Sequence, residues 1–350
     1  MPNAWLRRLT SGAATLGAAV LALAATVAPA AADVNSAPLS HTSVVGLHNT
    51  YDDGAEFPRL ANALDAGTGM IELDTWTDVF TNEWKVSHAD PTGNQNNCVD
   101  ASQPSDIYTG SANKDLGSCL DDVKYWLASH PTSGPLYIKL EMKVGFEADL
   151  GMGPAQLDAL INSHLGNLVY RPADLLGGTY PTLDAAAKAD AWPARSALAG
   201  KVILYAIPGT VELANPFDTL HTDVEYATYL KNLAAAGNVA QAAVFPSVLG
   251  AQAGDPRSQY SDTSIRPWFV VFDGDANTYV TSVDTSWYDT NHYILIMTDA
   301  QNVAPALSDT APSQADAQAR VALLASKHAS VVSTDWTGLP AVLSEVLPRG

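Results

Sequence analysis

Cysteine is scarce: Cys98 and Cys119 are the only two in 350 residues. Two thiols without histidine-rich partner spacing make a poor zinc module. Basic residues are also few, 18 against 37 acidic ones, for a formal net charge of −19. That balance argues against a nucleic-acid partner, because neutralising phosphates needs a basic face. After residue 32 no stretch is long and apolar enough to cross a bilayer. No Pro- or Ser-rich linker, internal repeat or low-complexity tract follows either, which points to one domain over residues 33–350.

The first 32 residues read differently. Arg7 and Arg8 precede an apolar stretch over 13–27, and Pro29-Ala30-Ala31-Ala32 supplies small residues before Asp33. This is the pattern of a secretory signal peptide over 1–32. The apolar stretch is short for a span, and no nearby cysteine could carry a lipid anchor. The expected product is secreted, extracellular and monomeric. In an oxidising setting Cys98 and Cys119 are expected to form a disulfide. Losing two arginines with the leader makes the remainder more acidic, which favours solubility and opposes approach to an anionic lipid surface.

Apolar, β-rich segments then alternate with helical stretches. Candidate strands cover 43–47, 69–75, 84–88, 136–142, 201–206, 242–248, 293–298 and 330–334. Candidate helices cover 57–66, 118–129, 154–165, 223–236 and 313–327, the last with a Ser at its start. Eight strands alternating with helices predict an α/β fold of parallel strands, in a barrel or an open sheet, with the (β/α)8 TIM barrel as the expected form. Segment 268–283 reads as a β-hairpin excursion, or else as a barrel strand.

In 70–76, Glu72 and Asp74 alternate with Ile71, Leu73 and Thr75. Alternate residues of a strand share a face, so the two carboxylates point together, about 7 Å apart. Inside a barrel they repel and lose hydration, and a hard divalent cation relieves both costs. In 136–143 the even positions are apolar, while Tyr137, Lys139, Glu141 and Lys143 take the other face. Glu141 is then a third carboxylate. Lys139 and Lys143 either hold a substrate phosphate or neutralise the carboxylates. His48 and His88 close candidate strands, and active sites on this fold lie at the C-terminal strand ends. Two histidines there suit acid–base catalysis of phosphoryl transfer.

The order of these groups resembles the phosphoinositide phospholipases C. Their first motif has a His-Asn-Thr-Tyr core, as in His48-Asn49-Thr50-Tyr51, and their second an apolar Glu-Leu-Asp-x-Trp, as in Glu72-Leu73-Asp74-Thr75-Trp76. His88 and Glu141 match the family's later histidine and glutamate, and 330–336 resembles the closing strand of secreted bacterial members. The resemblance implies that Asn49, Glu72, Asp74 and Glu141 bind Ca2+, that His48 and His88 act on the phosphate, and that phosphatidylinositol at a membrane surface is cleaved to diacylglycerol and an inositol phosphate, with a cyclic first product. The general base is then His48 or a carboxylate at the metal. The basic residues that read further ring phosphates in the intracellular members have no clear counterpart, and Arg257, Arg266 and Tyr260 are candidates only as polar residues in a loop. Two other readings compete: a glycerophosphodiester phosphodiesterase, disfavoured because Asn49 and Thr50 follow His48 where that family has arginine and glycine, and a non-catalytic barrel that binds lipid headgroups.

Overall fold

β-Branched and aliphatic runs bounded by Gly, Pro, Asn and Asp build a sheet of ten strands. They are β1 Thr42–Leu47, β2 Met70–Asp78, β3 Glu83–Val86, β4 Leu136–Met142, β5 Val202–Pro208, β6 Val244–Leu249, β7 Val271–Asp275, β8 Ile294–Thr298, β9 Val331–Thr334 and β10 Val346–Pro348. The structure, a computed structural model, describes residues 33–216 and 220–350. The expected signal peptide therefore lies outside the described residues. Eight strands are mutually parallel, in the order β1-β2-β4-β5-β6-β7-β8-β9. β9 pairs with β1, which closes the cylinder. β10 runs antiparallel to Thr42–Val44, while β2 takes up β1 only from Gly46.

Alternation along the strands sorts the two faces. Ile71, Leu73, Ile138 and Leu140 point outward and pack with Leu120, Val123 and Leu157 of the covering helices Leu116–Ser129 and Pro154–His164. Two of the longer helices carry ordinary N-caps. Asp115 accepts from the Ser118 N–H, and Ser313 accepts from the Asp316 N–H at the head of Gln314–Ser326.

Two expected elements differ. Segment 84–88 is not a barrel strand: β3 returns antiparallel along the end of β2, pairing Thr75 with Val86 and Asp78 with Glu83. The link from Asp78 to Glu83 is too short for a parallel crossover, which needs about a dozen residues. The missing barrel strand lies in 268–283, which is no hairpin. Val271–Asp275 is β7, and Asp275 then caps the helix Ala276–Ser282 by accepting from the Thr278 N–H. Alternation alone does not separate a hairpin strand from a barrel strand.

Cys98 and Cys119 form the expected disulfide. It ties the loop after β3 to the helix Leu116–Ser129. That loop holds neighbouring segments in place. The Asn97 side chain donates to the Thr50 and Phe57 carbonyls at 3.0 and 3.1 Å, and the Asn96 side chain donates to Val86 and Lys114.

Candidate active site

Polar residues gather at the C-terminal ends of the barrel strands. Parallel register sets Glu72 beside Lys139 and Asp74 beside Glu141 on β2 and β4. All four side chains therefore share the barrel interior. Glu72 and Asp74 are fully buried. One carboxylate oxygen from each of Glu72, Asp74 and Glu141 lies within 4.8 Å of the others. Lys139 Nζ stands 3.1 Å from Glu72 and 3.4 Å from Asp273 on β7, and Lys143 Nζ 3.1 Å from Asp74 and 3.0 Å from Glu141. Both lysines thus sit in internal ion pairs, the neutralising arrangement of the two open in the sequence.

The charges do not balance evenly. Burial, then the charges of Glu141 and Glu72, push the Asp74 carboxyl up to about 7, against the pull of Lys143. Burial also acts to raise Glu141, but Lys143 and the Thr210 N–H outweigh it and hold Glu141 below its usual value. Glu72 Oε2 and Asp74 Oδ1 are buried and lack a hydrogen-bond partner. Buried carboxylate oxygens aimed into one space without donors are costly unless a cation takes them. A hard cation with oxygen ligands fits this donor set.

His48 and His88 flank the carboxylates. The chain turns after β1 through Asn49, which has φ +46°, in the left-handed region that Asn tolerates. Thr50 Oγ1 donates to the Leu47 carbonyl and accepts from the Glu72 N–H, which locks this turn to β2. His48 Nδ1 lies 2.9 Å from Asp335 Oδ1, and Gln301 Nε2 donates to Asp335 Oδ2 at 2.7 Å. Burial acts to lower the His48 pKa, but the Asp335 hydrogen bond and the charges of Glu72 and Asp335 outweigh it and raise it to about 9. His88 follows β3 and leans back over β2. Its Nδ1 is 3.5 Å from Asp74 Oδ2 and 3.4 Å from the Tyr51 hydroxyl. The indole N–H of Trp76 fixes this segment by donating to the Ser87 carbonyl at 2.7 Å. Asn49 reaches the group indirectly, its Oδ1 accepting from the Tyr51 hydroxyl at 3.5 Å. A cavity of about 290 Å³ opens over His48, Glu72, Lys139, Glu141 and Asp273.

Sequence reasoning passed over three of these residues. Asp335 directly follows β9 as His48 follows β1, and the register pairs Leu47 with Thr334, so the next residues are neighbours. An acidic residue just past the last strand was the available signal. Asp273 was hidden by the hairpin reading of its segment. Tyr51 was noticed only as part of a motif. Arg257 and Tyr260 are engaged in contacts within the fold. Arg257 pairs with Asp184 and Asp255 at 2.7 and 2.8 Å, and the Tyr260 hydroxyl donates to Asp223. Arg266 donates to the Tyr260 carbonyl.

The comparisons with known proteins converge on one family. The sequence model described as "Phosphoinositide phospholipase C, Ca2+-dependent" matches residues 102–243. No curated protein matches the chain. Among solved structures, a Ca2+-dependent phosphatidylinositol-specific phospholipase C from Streptomyces antibioticus shares 51% identity, with a TM-score of 0.87 over 89% of this chain and 99% of its own. A calcium-dependent phosphoinositol-specific phospholipase C from a Gram-negative Pseudomonas sp. shares 20% identity, with a TM-score of 0.66 over 89% of this chain and 96% of its own. The second likeness is one of fold alone. With half its residues identical to the Streptomyces enzyme over nearly that enzyme's whole length, the chain belongs to the Ca2+-dependent phosphatidylinositol-specific phospholipase C family.

Proposed function

We propose that this chain is a calcium-dependent phospholipase C that cleaves phosphatidylinositol to diacylglycerol and an inositol phosphate. The observation that carries the reading is the carboxylate cluster of Glu72, Asp74 and Glu141, with its unpartnered buried oxygens, set between His48 and His88 at the strand ends. Those three carboxylates and Asn49 are the residues that would hold Ca2+. When bound, the ion would offset charge on the phosphate, acidify the attacking inositol hydroxyl and counter the pull of Glu72 on His48.

The protein's own groups handle the protons. Asp335 accepts from His48 Nδ1, and the neutral form of the ring, whose share a cation beside Glu72 would increase, presents Nε2 as an acceptor for the inositol hydroxyl proton. The hydroxyl oxygen bonds to phosphorus within the same molecule, and the bond from phosphorus to the glycerol oxygen breaks. His88 supplies the proton that the departing diacylglycerol oxygen needs. Asp335 stabilises the imidazolium that forms at His48. The product is a cyclic inositol phosphate, which is either released or opened by water. Lys139 and Lys143 hold the carboxylates in register, and their charge would add to that of the ion at an incoming phosphate.

The same reading takes residues 1–32 as a secretory leader and residues 33–350 as an extracellular, monomeric catalytic domain. Substrate would be met at a membrane surface, peripherally and transiently. Phe80, Leu150 and Leu213 support this: they are exposed on the connections that follow β2, β4 and β5, on the side of the site. No described helix is long and apolar enough to cross a membrane. The experiment offers purified protein phosphatidylinositol and glycerophosphodiesters in parallel, with calcium, magnesium or chelator. Calcium-dependent release of diacylglycerol from phosphatidylinositol is expected. Turnover confined to glycerophosphodiesters, or none with either substrate, would overturn the assignment.

A further inference from the structure

A second group of metal-ligand side chains lies at the opposite end of the barrel. His41 directly precedes β1, His292 lies two residues before β8, and Asp190 lies in the crossover between β4 and β5. These are N-terminal strand ends, whereas the carboxylate site occupies the C-terminal ends. His41 Nε2 is 3.0 Å from Asp190 Oδ2, and His292 Nδ1 is 3.6 Å from Asp190 Oδ1. One ligand atom from each of the three lies within 4.8 Å of the others. Two imidazole nitrogens and a carboxylate thus face one small volume, although the residues are far apart in the chain.

We infer that His41, Asp190 and His292 form a binding site for a divalent transition metal of the zinc type, separate from the calcium site. Ligands of a tetrahedral zinc, each about 2.0–2.1 Å from the ion, are separated by about 3.3 Å; His41 Nε2 is already 3.0 Å from Asp190 Oδ2, and the three donor atoms, all within 4.8 Å of one another, need only a small inward shift of His292 to reach that spacing. Two imidazoles with one carboxylate suit zinc and its neighbours, whereas calcium prefers an all-oxygen set. Asp190 Oδ1 also accepts from the Ser40 hydroxyl at 2.7 Å, the kind of outer hydrogen bond that orients a ligating carboxylate.

The frame around the three side chains is held in place. The buried Trp192 donates its indole N–H to the His292 carbonyl at 2.8 Å, and the Arg349 N–H donates to the His41 carbonyl at 3.0 Å. Asp190 and His292 adopt left-handed backbone, with φ +50° and +56°, which the surrounding contacts keep in place. The guanidinium of Arg349, the nearby cation, is turned to the carbonyls of Ser40, Tyr293 and His328. The three ligand side chains are 42%, 27% and 26% exposed, so metal and water reach them from solvent without entering the barrel. A bound ion would join the entrances of two strands to the β4–β5 crossover, and would therefore stabilise the closed barrel without touching the reacting phosphate.

The test uses tag-free protein saturated with calcium, so that the carboxylate site is already filled. Zn2+ binding is followed by competition with a chromophoric chelator, and Co2+ binding by its visible d–d bands. One Zn2+ per chain is expected, with Kd of about 1 µM or tighter, together with a rise in Tm and tetrahedral-type cobalt bands. His292→Ala and Asp190→Asn should each weaken binding ~100-fold or more, and Ser40→Ala about 10-fold. His41→Gln is the second ligand variant if His292→Ala fails to fold, with circular dichroism reporting on folding. Calcium-dependent turnover should stay within about 2-fold in every folded variant, since none of these residues touches the catalytic end. Failure to bind Zn2+ tighter than about 100 µM would overturn the site, as would binding unchanged by the ligand substitutions.

Discussion

Replacing Asp335 by Asn tests the proposed chemistry most sharply, because one atom changes and the neighbours constrain the result. Asp335 Oδ2 accepts from Gln301 Nε2 at 2.7 Å, while Oδ1 faces His48 Nδ1 at 2.9 Å. With Gln301 Nε2 also held by Asp299 Oδ1 at 3.5 Å, an asparagine there is expected to keep its oxygen toward the Gln301 donor. Its amide NH2 then faces His48 Nδ1 and donates to it. The neutral imidazole is forced to carry its proton on Nε2, the atom that has to accept from the substrate hydroxyl. Two losses combine. The charge-assisted bond that stabilises the imidazolium is worth about 1.5–3 kcal/mol, or ~10- to 150-fold in rate. The low end is the fair choice here, since the two side chains are 31% and 37% exposed and water screens the charge. The wrong tautomer costs more, bringing the expected fall in kcat to ~10²–10⁴-fold. Steady-state turnover of phosphatidylinositol vesicles reads kcat and KM, a calcium titration reads metal affinity, and 15N NMR of His48 reads the tautomer. Calcium affinity should hardly move. Adding Gln301→Leu frees the asparagine amide to turn its oxygen to His48, and should recover ~10-fold of the loss. Turnover within ~3-fold of wild type in Asp335→Asn would refute the pairing argument, and a double variant no better than the single would refute the tautomer argument.

Four further outcomes follow from the geometry. Chelator should abolish activity, and Asp74→Asn should weaken calcium binding and turnover together; full activity in excess chelator contradicts the role given to the carboxylates. His48→Ala and His88→Ala should each lower kcat ~10²–10⁴-fold, less than additively, and the acid variant should recover more on a substrate with a good leaving group; the larger recovery by His48→Ala would exchange the two assignments. Replacing Cys98 and Cys119 by Ser opens a crosslink of sequence separation 21 and should cost about 3 kcal/mol in urea unfolding, with kcat of the folded fraction nearly unchanged; a large kcat loss would mean that the loop needs the bond to position His88. Burial raises the Asp158 carboxyl from 3.8 to about 6, against the hydrogen bonds from Tyr226 and the Ala243 N–H. The unfolded chain therefore releases this proton first, and stability present below pH 4 is lost as pH rises to about 6, by at most about 3 kcal/mol. Asp158→Asn keeps an acceptor for both donors and removes the ionisation, so it should stabilise the protein at pH 7 and do little at pH 4; denaturation at the two pH values checks the sign.

The sequence by itself determined the features that depend on local period and strand ends. Glu72 and Asp74 share a face because a strand alternates every residue, and Glu141 joins them by the same rule on β4. His48 was placed by its position at the end of the first candidate strand. The alternation of strands and helices announced parallel strands, in a barrel or an open sheet, and two cysteines in a chain expected to be exported announced their bond. Tertiary structure decided what depends on which strands become neighbours and in which direction. Alternation in 84–88 is the same for a hairpin as for a barrel strand, and only the short link from Asp78 turned β3 antiparallel. With that position vacated, 271–275 became the barrel strand that brings Asp273 to Lys139. Asp335 meets His48 because closing the cylinder sets the last parallel strand against the first, across a separation of 287 residues. His41, Asp190 and His292 meet at the other rim for the same reason. None lies within a patterned strand, and no periodicity links residues that only the closed barrel brings within a few ångströms of one another.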